Sequence, residues 1–309
     1  MKIIFMGTPE FAVPSLDILY QSGYNIVGVI TSVDKYGGRG RKTLLESSVK
    51  KYAQSKGLKI LQPKNLKSPS FQNELKALAA DLQIVVAFRM LPEGVWNMPK
   101  YGTYNLHGSL LPRYRGAAPI NWAIINGDET TGVTSFKLKH KIDTGSILIQ
   151  REIPIYKDDT AGDLHDRMKW IGADVILETV RRIESGQEVL KEQNEAEVSH
   201  APKLNKENTE INLSHPGKKI IDHIRGLSPY PTAWLNLDGK STQILQAAFV
   251  PEAQNMKEGT ILTDGKKYLR IACSDGYLDI QELKMSGKKK LPVKVFLNGY
   301  TFENSTEEM

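Results

Sequence analysis

The chain has 309 residues, 40% hydrophobic and 25% charged, with a formal net charge of +6 and a single cysteine, Cys273. These values exclude a disordered chain and an intrachain disulfide framework, and they argue against a cysteine-based zinc site; the length suits two domains. The N-terminus carries only a few apolar residues before Gly7 and Pro9, and no run approaches the roughly 18 apolar residues of a membrane span, so a cytoplasmic chain with no membrane partner is expected.

In chain order, KIIFMG reads as a buried strand and PEFAVPSLDILYQSG as a helix whose regular part begins near Pro14. NIVGVIT, KILQP, DLQIVVAF and YGTYNLHG read as further strands, with SVKKYAQSKGL and PSFQNELKALAA as helices between them. Strands separated by helices predict a mostly parallel sheet, whose ligands lie beyond the carboxyl ends of the strands. Those ends fall at Gly7-Thr8, Phe88-Arg89 and residues 105–109.

After Thr134 the pattern changes. GVTSFKLKH and GSILIQREIPI predict a hairpin around 142–145. TAGDLHDRMKWIGADVILETVRRIESG predicts a long amphipathic helix, with Thr160 and Asp163 as a capping pair. The polar stretch 189–205 reads as a linker between a domain at 1–188 and another at 206–309. The second domain begins with the helix GKKIIDHIRGL and continues as short strands with turn signals, a pattern that suits a small barrel; ENSTEEM reads as a disordered tail. The expected fold is α/β, a Rossmann-like, mostly parallel sheet domain followed by a small OB-like β-barrel. A nucleotide-binding fingerprint is not part of that expectation, because Gly7 stands without the G-x-G-x-x-G pattern.

Asn105 and His107 lie two apart on one strand and therefore share a face. The amide is a neutral donor, and the imidazole gives or takes a proton near neutral pH. Asp143 precedes Thr144-Gly145 on another loop, and a carboxylate near an imidazole fixes its tautomer and favours its charged form. Such a trio suits a reaction with a tetrahedral intermediate and a nucleophile supplied by the substrate. Spacing by itself more often marks a hydrogen-bonded structural histidine and a turn aspartate.

The stretch NLHGSLLPRYRGAAPINWAIINGDETTGVT, with IDTGSIL shortly after, resembles the formyltransferase family that uses 10-formyltetrahydrofolate. The resemblance implies a catalytic trio of Asn105, His107 and Asp143. It implies folate contacts from the turn Ser109, Leu110, Leu111 and Pro112, and a pocket lined also by Phe88, Arg89, Met90 and Leu91. It implies no metal. Members of that family act on glycinamide ribonucleotide, an amino sugar nucleotide, water or methionyl-tRNA. MGTPEFAVPSLDIL, TSVDKYGGRGRKTLLESSVKKYA and APKLNKEN followed by IRGLSPYPTAW resemble the branch whose acceptor is initiator methionyl-tRNA. A monomer is expected, and a small-molecule acceptor, a hydrolase or a tRNA-binding module without catalysis are the alternatives.

Some positions depart from the family pattern. Tyr36-Gly37 stands where a proline is usual, Ser48 where Ser-Pro-Val-Lys is usual, KHKIDTG for a Gly-Leu-Asp-Thr-Gly form, and INLS for an Ile-Asp-Trp form. Lys35, Arg39, Arg41 and Lys42 lie in a Gly-rich basic loop. The loop is either a solvated surface or, as the resemblance implies, a tRNA contact with Arg39 foremost. GKKKLPVK, with Lys284 nearby, is either a second nucleic-acid surface or a solvated hairpin tip.

Overall fold

The computed structural model describes residues 1–37, 40, 42–252, 256–303 and 305–306. Arg39 and Arg41 of the basic loop, and part of the expected disordered tail, lie outside the described residues. The chain separates into two compact units. The first holds residues 1–119, 131–153 and 165–201, and the second holds 120–130, 154–164 and 202–309.

The first unit begins with β1 (Lys2–Gly7), α1 (Val13–Gln21) and β2 (Asn25–Ile30). A short hairpin, β3 (Lys35–Gly37) and β4 (Thr43–Leu45), precedes α2 (Ser48–Ser55), β5 (Ile60–Leu61), α3 (Pro69–Ala77), β6 (Leu82–Val86) and α4 (Glu93–Trp96). Then come β7 (Thr103–His107), β8 (Arg115–Gly116), α5 (Pro119–Ile125), β9 (Thr130–Lys137), β10 (Ile147–Pro154), α6 (Ala161–Glu184) and β11 (His200–Ala201); of these α5, apart from Pro119, and the first turn of α6 belong to the second unit. The main sheet has the order β10-β9-β7-β6-β1-β2-β5. The pairs β1–β2, β1–β6, β2–β5 and β6–β7 are parallel, and β7–β9 is antiparallel.

Burial explains why the central strands are continuous apolar runs rather than alternating ones. All five residues of β6 are buried, as are five of the six in β1, because packing covers both faces. One side of this core gathers Ile4, Met6, Ile30, Phe71, Leu75 and Val85. Pro14 falls in the first turn of α1, where its missing N–H has no helical partner to lose. Ser47 caps α2, accepting from the Lys50 N–H at 3.0 Å, so Ser48 occupies the first helical position. A proline would fit there, so that departure leaves the cap itself intact. The Thr160–Asp163 pair forms the reciprocal cap expected of it. The Thr160 N–H donates to the Asp163 carboxylate at 2.9 Å, and the Asp163 N–H to the Thr160 hydroxyl at 3.2 Å.

Two segments differ from the sequence reading. The basic loop holds the β3–β4 hairpin, pairing Lys35 with Leu45 and Tyr36 with Leu44. The stretch 189–205, expected as a linker, is tied to the first unit as far as Ala201. β11 pairs in parallel with β8, and Lys191 and Ile147 exchange backbone hydrogen bonds of 2.7 and 2.8 Å. The side chains of Glu192, Gln193 and Ser199, which suggested a solvated connection, spend their hydrogen bonds on neighbouring loops.

The second unit contains α7 (Gly217–Leu227), β12 (Ala233–Leu237), β13 (Lys240–Pro251), β14 (Ile261–Thr263), β15 (Leu269–Cys273), β16 (Gly276–Met285), β17 (Leu291–Pro292), α8 (Val293–Leu297) and β18 (Ser305–Thr306). It is β-rich, as expected. Its strands run β12-β13-β16-β15-β14-β18, and β17 pairs with β16. The path is open among the described residues, and register shifts at Ile244–Ala247 interrupt the β13–β16 ladder. Ile220, Ile224 and Leu227 of α7 join Leu235, Ile244, Ile271, Leu278 and Phe296 in one core. Ser305 and Thr306 pair with β14, which places part of the expected disordered tail on the sheet edge. Among the described residues no helix is long and apolar enough to cross a membrane.

Thr160→Ala should remove one half of the α6 cap and lower stability by about 1 kcal/mol, read as a fall in the urea midpoint at an unchanged slope.

Candidate active site

β7 carries Asn105 and His107 to the carboxyl end of the parallel part of the sheet. Asn105 lies between Val85 of β6 and Phe136 of β9, and His107 opposite Thr134. His107 is 6% exposed, whereas Asn105 is half-buried. The Asn105 side-chain amide has no hydrogen-bond partner among the described residues. An amide kept beside a buried imidazole with its donors free is available to a ligand oxygen.

The ring of His107 is held from both sides. Nε2 donates to the Tyr114 carbonyl oxygen at 2.8 Å. A carbonyl can only accept, so Nε2 carries a proton, and Nδ1 is the ring position whose protonation can change. Nδ1 faces Asp143 Oδ2 at 3.8 Å, an ion-pair separation when the ring is charged but too long for a direct hydrogen bond. The same Oδ2 accepts the Gly116 N–H at 2.9 Å.

The loops that deliver these groups carry backbone strain. Tyr114 has φ +60° and Asp143 φ +55°, the left-handed region that costs an L-residue about 1–2 kcal/mol. Both are fixed from outside. The Tyr114 N–H donates to the Ser199 hydroxyl at 2.9 Å, and the Asp143 carbonyl accepts from the Gln193 amide at 2.8 Å. Two glycines make room. A Cβ on Gly145 would lie 1.7 Å from the Lys137 carbonyl oxygen, and one on Gly116 would lie 2.5 Å from that of Ala201. That close approach is the reason for glycine in the Asp-Thr-Gly and Arg-Gly pairs of the sequence.

The expected folate residues divide into two sets. Ser109 is fully buried; its hydroxyl donates to the Arg113 carbonyl at 2.6 Å, and its own carbonyl accepts from the Thr134 hydroxyl at 2.6 Å. Thr134 Oγ1 also receives the Leu111 N–H at 3.1 Å, and Gln150 donates to the Leu111 carbonyl at 2.8 Å. Leu111 is buried with Phe136 and Ile147, Pro112 is buried behind it, and Leu110 is half-buried. Polar contacts from the loop itself and from β9 and β10 therefore shape this turn. Of the second set, Leu91 is in the core beside Val95, and Phe88 packs partly against that core. Met90 is 74% exposed. The exposed Arg89 donates to the Lys64 carbonyl at 3.1 Å and also to the Pro63 carbonyl.

Lys35 and Lys42 are exposed on the basic hairpin. Lys50, which belongs to the same basic stretch, is neutralised by Asp34 and by Glu46 at 2.7 Å. The lysine holds the Asp34 carboxyl below the usual range, helped by a hydrogen bond from Gln62. In the second cluster Lys290 pairs with Glu282 at 3.1 Å and Lys288 lies over Tyr300, while Lys284 and Lys289 are exposed. Glu10, His165 and Asp166 approach one another as metal ligands would. The Lys169 ammonium already pairs with Glu10 and Asp166, at 2.8 and 3.0 Å.

Sequence reasoning missed Tyr114, Arg115, Gly116 and Gln193. The first three sit in the quoted PRYRGAAP turn, whose glycine was a usable signal. Gln193 carried none, because a polar residue in a polar stretch looks like any solvated one.

Two family profiles together cover most of the chain. The profile described as "Formyl transferase" matches residues 1–180, and that described as "Formyl transferase, C-terminal domain" matches residues 203–301. The chain belongs to the formyl transferase family. A protein of Parabacteroides distasonis named methionyl-tRNA formyltransferase is 51% identical, with 97% of this chain and 96% of that one covered. One of the same name from Flavobacterium johnsoniae is 49% identical over 99% and 98% of the two chains. Among solved structures, an N-formyltransferase of Helicobacter canadensis, in complex with folinic acid and dTDP-3-aminofucose, shares the fold at a TM-score of 0.68 and 22% identity, with 94% of this chain and all of that one covered.

Thr134→Val keeps the side-chain shape but strips the Leu111 N–H and the Ser109 carbonyl of their shared partner. The expected loss is about 2–3 kcal/mol in chemical denaturation.

Proposed function

We propose that this protein transfers a formyl group from 10-formyltetrahydrofolate to the amino group of initiator methionyl-tRNA. The observation that carries the chemistry is the unpartnered Asn105 amide beside His107, whose Nδ1 faces Asp143. The choice of acceptor is supported by relatives of that name aligned over nearly the whole chain.

The donor would supply a formyl carbon bonded to N10, and the acceptor a neutral amine. As the new C–N bond forms, negative charge grows on the formyl oxygen. Asn105 offers an N–H donor to that charge, with no competing partner among the described residues. His107 protonated at Nδ1 places a positive charge beside it, and Asp143 stabilises that charged ring. The attacking nitrogen must lose a proton, and N10 must gain one as the C–N10 bond breaks. Nδ1 of the charged ring can give its proton to N10 as the C–N10 bond breaks and then take the one that the attacking nitrogen sheds, because Nε2 keeps its own on the Tyr114 carbonyl. The turn from Ser109 to Pro112 and the segment from Phe88 to Leu91 would shape the folate pocket. Leu110, Phe88 and Met90 supply its accessible apolar surface.

For the acceptor, Lys35, Arg39, Arg41 and Lys42 would contact the RNA backbone. The support is the exposure of Lys35 and Lys42 and the excess of basic residues in this stretch. Lys284 and Lys289 add exposed positive charge on the second unit. A monomer acting in the cytoplasm completes the proposal; the single cysteine fits a reducing compartment.

A transfer assay with radiolabelled formyl donor and initiator methionyl-tRNA should give labelled formylmethionyl-tRNA; turnover only on an amino sugar nucleotide would refute the acceptor. His107→Ala should lower kcat by at least about 10³-fold while leaving tRNA affinity within about threefold. Arg39→Ala should reduce kcat/KM for tRNA by about tenfold or more, with folate binding unchanged and a shallower dependence of tRNA affinity on salt. Equal losses for both substrates would contradict the tRNA contact.

A further inference from the structure

Asp143 must present its carboxylate to His107 from a turn whose backbone is strained. Three consecutive residues of the 189–201 stretch grip that turn. Lys191 bonds the Ile147 backbone in both directions, at 2.7 and 2.8 Å. The Glu192 carboxylate accepts from Lys139 at 2.8 Å and from the Ser146 hydroxyl at 2.7 Å, contacts that hold its carboxyl below the usual range. Gln193 Nε2 donates to the carbonyl oxygens of both Asp143 and Gly145, each at 2.8 Å.

The Gln193 amide can sit only one way round. Its Oε1 accepts from Arg115 Nε at 3.0 Å and Nη2 at 2.8 Å. A guanidinium only donates and carbonyls only accept, so the oxygen must face Arg115 and the nitrogen the turn. Arg115 is 7% exposed and is held in turn by Glu195, at 2.7 Å. It lies between Tyr114, whose carbonyl holds His107, and Gly116, whose N–H holds Asp143. A closed circuit results, from His107 through residues 114–116 to Gln193, to the Asp143 turn, and back across the 3.8 Å gap to the ring.

Taking Asp143 as a member of the reacting trio, we propose that Gln193, oriented by Arg115, is a positioning residue that sets the distance and direction of the Asp143 carboxylate relative to His107. It acts through the two carbonyls of the turn. Its effect therefore falls on the reacting geometry rather than on affinity for either substrate.

Gln193→Ala should lower kcat by about 10–100-fold and leave both KM values within about threefold. Gln193→Glu keeps the acceptors for Arg115 but sets a carboxylate against two carbonyl oxygens, so its kcat should fall at least as far. The ring 15N resonances of His107 should move in both variants. Asp143→Asn is measured alongside, and the double variant Gln193→Ala/Asp143→Asn should be no slower than Asp143→Asn, because the two changes act at one point. Should Gln193→Ala fail to fold, Arg115→Lys, which loses the paired donors that orient the amide, should show the same pattern. Wild-type kcat and His107 resonances in a folded Gln193 variant, with Asp143→Asn inactive, would overturn the positioning role and leave the catalytic reading standing. An active Asp143→Asn would instead overturn the catalytic reading itself, and the positioning role with it. A double variant much slower than Asp143→Asn would show Gln193 acting elsewhere and would also overturn the role.

Discussion

The Asp143 carboxylate does two things at once, and the site depends on both. Its Oδ2 accepts the Gly116 N–H at 2.9 Å, which joins the turn at 143–145 to the loop that follows β7. The same oxygen faces Nδ1 of His107. A surface carboxylate would be free to turn away, but this one is 12% exposed and is directed by a backbone donor. Its backbone sits in the left-handed region, so the surroundings must hold it there. Gly116 and Gly145 allow the close approaches, and Gln193 ties off the carbonyls.

Polar groups around the site sort by whether the protein has already used them. Ser109, Thr134 and Gln150 are spent on the turn after β7, and Arg115, Glu195 and Gln193 on the turn at Asp143. Among the described residues Asn105 is left without a side-chain partner. In a region where buried polar groups are otherwise paired, an accessible unpaired amide beside a buried imidazole is the feature that packing does not explain. The basic hairpin shows the same sorting of charge. Asp34 and Glu46 neutralise Lys50, whereas Lys35 and Lys42 reach solvent.

Much of the fold was legible because burial writes directly into the sequence. The apolar runs of β1 and β6, the Pro14 start of α1 and the Thr160–Asp163 cap each express a local rule. The β3–β4 hairpin was obscured by its glycines and charges, which read as flexibility. The 189–201 strap was obscured because its partners are about 45–85 residues away in the chain, and polarity does not distinguish a hydrogen bond to water from one to a distant carbonyl. For the same reason Ser109 to Pro112 could be read as ligand contacts, although their polar groups are taken up mostly by Arg113, Thr134 and Gln150.

By itself the sequence determined that Asn105 and His107 share a face, that a parallel sheet carries them to a strand end, and that the whole motif belongs with formyl transfer. Strand periodicity and a long specific pattern are local properties, so no coordinates were needed. Tertiary structure decided which nitrogen of His107 keeps its proton, how near Asp143 stands, and what holds it there. Those depend on the Tyr114 carbonyl, the Gly116 N–H and the Gln193 amide, contacts made only when segments from positions 107, 115, 143 and 193 meet.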